Sequence, residues 1–137
     1  MSERSNEDRP PSLTEEAVGE FAREWYAAWN AHDVQRVLSH YTEDIVFTSP
    51  LAVHGDSTRT MRGREKVAEH VRRAFEKVPD LHFEPLATLA APSSVVLHYR
   101  GVFGLLVAEF MELDGSGRAQ RVVAHYERLP SGSPASG

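Results

Sequence analysis

Residues 25–50 read WYAAWNAHDVQRVLSHYTEDIVFTSP, from Trp25 to Pro50. In this stretch the apolar spacing changes twice, and those changes organise the chain. Trp25 and Trp29 lie four residues apart, as on one helix face. Asn30 is a plausible stop, and Asp33 can cap a second, short helix that places Val34, Val37, Leu38 and Tyr41 on one side. Ile45, Val46 and Phe47 then form a short strand that ends before Pro50. Upstream, Ser12-Leu13-Thr14-Glu15 has the S-x-x-E pattern of a capping box. Val18, Phe21 and Ala22 extend the face that continues through Trp25 and Trp29, so the first helix carries a strongly aromatic stripe.

Downstream, residues 51–62 read as an irregular loop or loose hairpin. Gly63 precedes a third helix with Val67, Val71, Ala74 and Phe75 inward, stopped near Pro79. Beyond Pro79 the periodicity becomes that of strands: Leu81–Ala90, with Pro85 marking an edge or a bulge, then Val95–Val102, Leu105–Leu113 and Ala119–Tyr126. Gly101 and Gly104 flank one tight connection, and Asp114-Gly115-Ser116-Gly117 makes the other. Helices first and an antiparallel meander second predict an α+β fold with the helices on one face of the sheet.

The 137 residues suit one domain with a core of its own. Three segments are expected: a polar tail over 1–11, a folded domain over 12–129, and a Pro/Ser/Gly/Ala tail over 130–137. With no cysteine, disulfides, thiol nucleophiles and Cys-based metal sites are excluded. A formal charge of −5 with no basic stripe argues against nucleic acid. No apolar run approaches the ~20 residues that span a bilayer, and the polar N-terminus lacks a secretory signal, so the expected location is cytoplasmic. Seven histidines raise the question of a metal, but no H-x-H, H-x3-H or H-E-x-x-H spacing occurs, and no metal is expected. No Gly-rich phosphate loop occurs either, so no cofactor is expected.

Several segments together resemble SnoaL-like proteins of the nuclear transport factor 2-like superfamily. These are the Trp25–Pro50 run, Gly63-Arg64-Glu65 at the start of the third helix, Pro79-Asp80-Leu81-His82-Phe83 before the first long strand, and Leu113-Asp114-Gly115-Ser116-Gly117-Arg118 at the final hairpin. The resemblance covers nearly the whole folded part. It implies a cone-shaped curved antiparallel sheet wrapped by three N-terminal helices around a pocket, usually dimeric through the outer sheet face. It leaves function open, because the superfamily includes ketosteroid isomerases, polyketide cyclases, epoxide hydrolases, dehydratases and plain binding or interaction modules.

The residues that could carry chemistry centre on Glu109. A two- or four-residue turn between the second and third long strands would put Glu109 on one face with His98 or Arg100, together with Val96, Val107 and Met111. A carboxylate among such residues is paired or functional, because burying it alone is costly. By resemblance, Glu109 falls where ketosteroid isomerases carry a protonated pocket Asp that donates a hydrogen bond, a role that requires a raised pKa. Ionised, it could form a general acid/base pair with His98. The bland alternative is a structural Glu–His or Glu–Arg pair.

The departures from the relatives are equally informative. Ser49 stands where the isomerases have their proton-abstracting Asp, and Trp25 where they have an oxyanion-hole Tyr, so the usual ketosteroid arrangement is broken. Ala124 replaces one Asp of the epoxide hydrolases' Asp–Arg–Asp set, with His98 and Arg100 near the other positions. The simpler chemistry of polyketide cyclases, moving one proton α to a carbonyl, is compatible with Glu109 and His98. Trp25, Trp29, Tyr41, Phe47 and Tyr126 are candidate pocket walls, although aromatics at helical spacing read first as core. Ser49, His70, Arg100, Met111 and Ala124 complete the substrate-binding candidates. Among the other histidines, His54 is placed near the pocket mouth, His32 and His40 toward solvent, and His125 on the outer sheet face.

The function expected is a cofactor-independent cyclase, isomerase or hydrolase acting on a small hydrophobic, polyketide- or terpenoid-like molecule. The alternatives are a noncatalytic ligand-binding module and a dimeric interaction domain with a vestigial pocket.

Overall fold

Helix α1 spans Glu15–Asn30 and starts where a side chain satisfies its first free amides: the Thr14 hydroxyl accepts from Ala17 N–H at 3.0 Å. The cap is thus Thr14. Ser12 and both tails lie outside the residues described by this computed structural model, which are 13–129. Leu13 N–H donates to Pro92 O at 3.0 Å, tying the start of α1 to the far end of the sheet. The aromatic stripe is buried as its spacing predicts, with Val18, Ala22, Trp25, Tyr26, Ala28 and Trp29 inside. The Asp33 side chain caps α2, Val34–Leu38, by accepting from Arg36 N–H.

Strand β1, Tyr41–Thr48, begins four residues before the expected Ile45 because its first residue pairs with the last strand. The 51–62 segment closes a hairpin: β2, Thr60–Arg62, lies antiparallel to β1. Gly63, at φ 94, makes the corner into α3, Arg64–Lys77. Strands β3 (Glu84–Ala91), β4 (Ser94–Arg100), β5 (Leu106–Leu113) and β6 (Ala119–Tyr126) follow as a meander. Pro85 sits on an edge strand beside a register shift between Pro85 and Ala87, the setting in which a missing N–H is tolerated in a sheet.

The sheet order is β2-β1-β6-β5-β4-β3. Four of the five strand pairings are antiparallel, but β1 and β6 run parallel, so the sheet is mixed rather than wholly antiparallel. It is curved and open, with β2 and β3 as its edges. The three helices cover one face, and the α+β architecture expected from the element order is the one observed. Among the described residues no helix is long and apolar enough to cross a membrane.

One connection decides what the sheet shows to the helices. Between β4 and β5, Arg100 pairs with Leu106, leaving five residues in the loop. This loop holds a single 3-10 turn, Val102–Gly104, with Phe103 at φ 61 and Gly104 at φ 71. An odd loop gives partners that sum to an even number, so Leu97, not His98, faces Glu109. Relative to the two- or four-residue turn expected from the sequence, every β4 side chain changes face. Val95, Leu97 and Tyr99 are buried beneath the helices, whereas Val96, His98 and Arg100 are on the other side.

Candidate active site

The inner face of the sheet, the underside of α1 and one wall of α3 enclose a cavity of about 310 Å³. That is at the small end of volumes typical of small-molecule sites. Its lining is predominantly apolar and includes Trp29, Leu51, Val78, Leu81, Phe83 and Val102. Against that background the polar groups on the wall stand out: Ser49, His70, Tyr99, Glu109 and Tyr126, with Arg73 and Lys77 from α3.

Glu109 is 3 % exposed and sits on β5 opposite Leu97 on one side and Ala124 on the other. The Tyr99 hydroxyl donates a hydrogen bond to its Oε1. Burial pushes the Glu109 carboxyl up to about 7, and the Tyr99 hydrogen bond pulls in the opposite direction without offsetting it. At neutral pH, then, Glu109 is a mixture of acid and base forms. Its charge reaches four phenols. Tyr26, Tyr41, Tyr99 and Tyr126 are each held above the ordinary tyrosine range, first by burial and then by Glu109. These tyrosines stay neutral, as hydrogen-bond donors rather than bases.

Tyr99 is fixed by an aromatic stack. Its ring centroid lies 4.4 Å from that of Phe83, 5.6 Å from Trp25 and 5.8 Å from Tyr26. Phe83 is pinned in turn: Asn30 Oδ1 accepts from Phe83 N–H at 2.7 Å, and Asn30 Nδ2 donates to Phe83 O at 3.1 Å. The end of α1 therefore positions the start of the β3 segment, the stack, and through Tyr99 the carboxyl. At the other wall, burial, then Arg73, then His54 lower the His70 imidazole to about 4, so it is neutral at pH 7. Ser49 is buried, and its Oγ accepts from Leu51 N–H at 3.1 Å.

The structure brings Glu109, Trp29, Phe47, Ser49, His70 and Tyr126 together on the cavity wall. Trp25, Tyr41 and Met111 are fully buried behind it as core, with Trp25 Nε1 donating to Tyr41 Oη at 3.2 Å. Ala124 is buried beside Glu109 without lining the cavity. The expected partnership of Glu109 with His98 or Arg100 is corrected: the five-residue loop turns both to the opposite face. Arg100 is exposed, and its Nη1 donates to Gly104 O at 2.8 Å. The partner of Glu109 is Tyr99, a residue the sequence reading did not single out. The signal for it was the G-V-F-G-L segment at 101–105, whose second glycine permits the left-handed turn that makes the loop odd. Phe83, Arg73 and Lys77 also line the cavity without having been singled out. Among the described residues no group of three or more His, Cys, Asp and Glu could hold a metal.

A family model for the SnoaL-like domain matches residues 22–132. A SnoaL-like protein of unknown function from Burkholderia thailandensis is 40% identical, with a TM-score of 0.80, over 85% of this chain and 99% of that one. An NTF2-like protein of unknown function from Cytophaga hutchinsonii matches at a TM-score of 0.64 and 12% identity, over 80% of this chain and 89% of its own. A Catenulispora acidiphila protein with a ketosteroid isomerase-like fold, in complex with trimethylamine, matches at 0.68 and 17% identity, over 86% and 94% of the two chains. No curated protein matches the sequence. The last two structures speak to fold alone. The family model and the Burkholderia relative go further, and by them the chain belongs to the SnoaL-like domain family.

Proposed function

We propose that this chain binds a small, largely apolar organic molecule and moves a proton on it without a cofactor, with Glu109 as the acid/base. The observation that carries this reading is a buried carboxyl on the wall of an apolar cavity, held by burial at about 7. A general acid or base is most effective when its pKa lies near the working pH. An ionisable group kept inside a small-molecule cavity with a neutral hydrogen-bond partner and no counter-charge is the pattern of a functional site. The fold family, which includes isomerases and cyclases, is consistent with it.

The chemistry is proton transfer next to a carbonyl. Ionised Glu109 takes a proton from the carbon α to the C=O, and the C–H electrons move to the carbonyl oxygen as an enolate. The Tyr126 and Ser49 hydroxyls are neutral donors on the same wall that can meet that oxygen. Protonated Glu109 then returns the proton to the γ carbon where a β,γ double bond is conjugated with the enolate, an isomerisation; or the enolate carbon attacks a second carbonyl of the same molecule, whose C=O π electrons move to its oxygen and take up the Glu109 proton, a cyclisation. Tyr99 supplies the hydrogen bond that keeps the ionised form accessible. The substrate class is polyketide- or terpenoid-like.

The test uses 2-tetralone, an apolar bicyclic ketone with acidic α-hydrogens, in D2O with NMR detection of exchange. The wild type should accelerate exchange by about 10²-fold or more over buffer, and Glu109→Gln should lose that acceleration while still quenching tryptophan fluorescence on binding. Equal exchange in wild type and variant refutes the acid/base role. Binding without acceleration favours the second reading, a noncatalytic ligand carrier, which has its own support in the Tyr99 hydroxyl already occupying Glu109 Oε1. The Catenulispora protein of the same fold holds a small molecule, trimethylamine, which supports the ligand part of either reading.

The outer sheet face is the natural dimer contact. Leu89, Val96, Phe110 and Val123 are aligned in one row across four strands on that face, and Leu89 is 56% exposed. Phe110→Glu should shift the sedimenting species from dimer to monomer. A monomeric wild type would refute this contact. The cytosol is the location that fits such a protein.

A further inference from the structure

The cavity has a charged rim as well as an acidic base. Arg73 and Lys77 lie one turn apart on α3, and both line the cavity. Neither is in an ion pair: the pairs among the described residues are Arg23–Glu20, Arg36–Glu24 and Arg128–Glu127. Exposure gives the cavity a direction. Lys77 is exposed and Arg73 half-buried, beside Phe103 at 69 %, whereas Glu109 and Tyr99 are 3 % and 2 % exposed. The charges obey the same division. Arg73 helps hold His70 neutral, but neither cation contributes to the state of Glu109. Among the described lining residues Glu109 is the one acid, so the charged lining groups at the rim are both cations, in a chain whose formal charge is −5.

We propose that the ligand is an amphipathic organic acid. Its apolar body fills the cavity, its reactive polar group reaches Glu109, and its carboxylate sits at the rim on Arg73 and Lys77. This rests on the reading that the cavity holds a small molecule, and it adds the ligand's charge and orientation. A carboxylate at the base would face the Glu109 charge and lose its hydration without compensation. At the rim it keeps part of its water and gains a guanidinium fork and an ammonium. If the two side chains merely lay their methylene stems over the apolar wall, the site would take neutral and anionic ligands equally.

The experiment compares three probes with one body: 2-tetralone carrying a carboxylate on its aromatic ring, the matching methyl ester, and the primary amide. Affinities are read by tryptophan quenching and by calorimetry. The acid should bind about five- to tenfold more tightly than ester or amide, the size expected of two partly exposed ion pairs. That ratio should fall toward one in Arg73→Gln/Lys77→Gln and drop below one in Arg73→Glu. Added salt should erode it in the wild type, which reads the same preference with no substitution at all. Equal affinity for acid and amide overturns the proposal, as does a preference that survives the double substitution. Binding of none of the probes overturns it together with the small-molecule reading. Acid preference without proton exchange supports it and removes only the acid/base reading.

Discussion

Replacing Glu109 with Gln should make the protein markedly more stable in mild alkali while changing little in mild acid. The cause is the cost of keeping a carboxylate under an apolar roof. In the folded chain the Glu109 carboxyl titrates at about 7, against 4.5 for an exposed glutamate. Below the lower value the group is protonated in folded and unfolded states alike and contributes nothing. Between the two values the folded state holds more protons than the unfolded one, so stability falls as pH rises. Above about 7 both states are ionised and the full penalty applies. At about 1.4 kcal/mol per pH unit, the interval amounts to roughly 3 kcal/mol. Gln keeps a carbonyl oxygen for the Tyr99 hydroxyl and carries no charge to desolvate. Urea unfolding of both proteins from about pH 5 to about pH 8 should therefore give curves that separate by roughly 3 kcal/mol across the range. His70 titrates with the opposite sign: its folded value near 4 lies below the usual 6.5, so its contribution grows as pH rises through that window. It is present in both proteins and cancels in the difference. Parallel stability curves would refute the burial argument for Glu109.

Tyr99→Phe removes the one hydrogen bond that favours ionised Glu109. It should cost about 1–3 kcal/mol in urea unfolding and raise the pH midpoint of any Glu109-dependent exchange; a midpoint that falls or stays put would contradict the assignment. Gly101→Ala would set a Cβ 2.9 Å from Tyr99 Cε2 and 3.4 Å from Phe83 Cδ1. Crowding the stack should cost about 1–3 kcal/mol and depress exchange activity along with stability. Asn30→Ala removes both hydrogen bonds to the Phe83 backbone. A loss of about 1–3 kcal/mol is expected, with faster amide hydrogen exchange at Phe83 as the local signature.

The helical half of the fold was legible because its signals are local. The stripe from Val18 through Trp29, the Asp33 cap and the stop before Pro79 all act within a few residues of themselves. Pro85 announced its edge position for the same reason, since a missing N–H constrains only its own ladder. The parallel pairing of β1 with β6 joins Tyr41 to Ala119, and nothing local in either segment encodes it. At the site, Glu109 could be found because a carboxylate in an alternating apolar strand is conspicuous. Its partner could not, because the facing of β4 hangs on one residue of loop length. Phe103 adopts φ 61 in that loop, a conformation that aromatic residues seldom take, and so Tyr99 goes inward in place of His98. Trp25 and Tyr41 show a second limit. Their spacing identifies a buried face, but only the packing separates the layer that touches the cavity from the layer behind it. Arg73 and Lys77 carry no local pattern that separates them from the other charged residues of α3.

The central claim is that Glu109 is a cavity-facing carboxyl that changes protonation state near neutral pH. A 13C NMR titration of the glutamate side-chain carboxyls, with Glu109→Gln identifying the resonance, measures it directly, first on the free protein and then with 2-tetralone bound. A midpoint at about 7 is expected for Glu109, moving further up when the ketone displaces water from the cavity. A midpoint in the ordinary glutamate range, or one that is insensitive to the bound ketone, would contradict it.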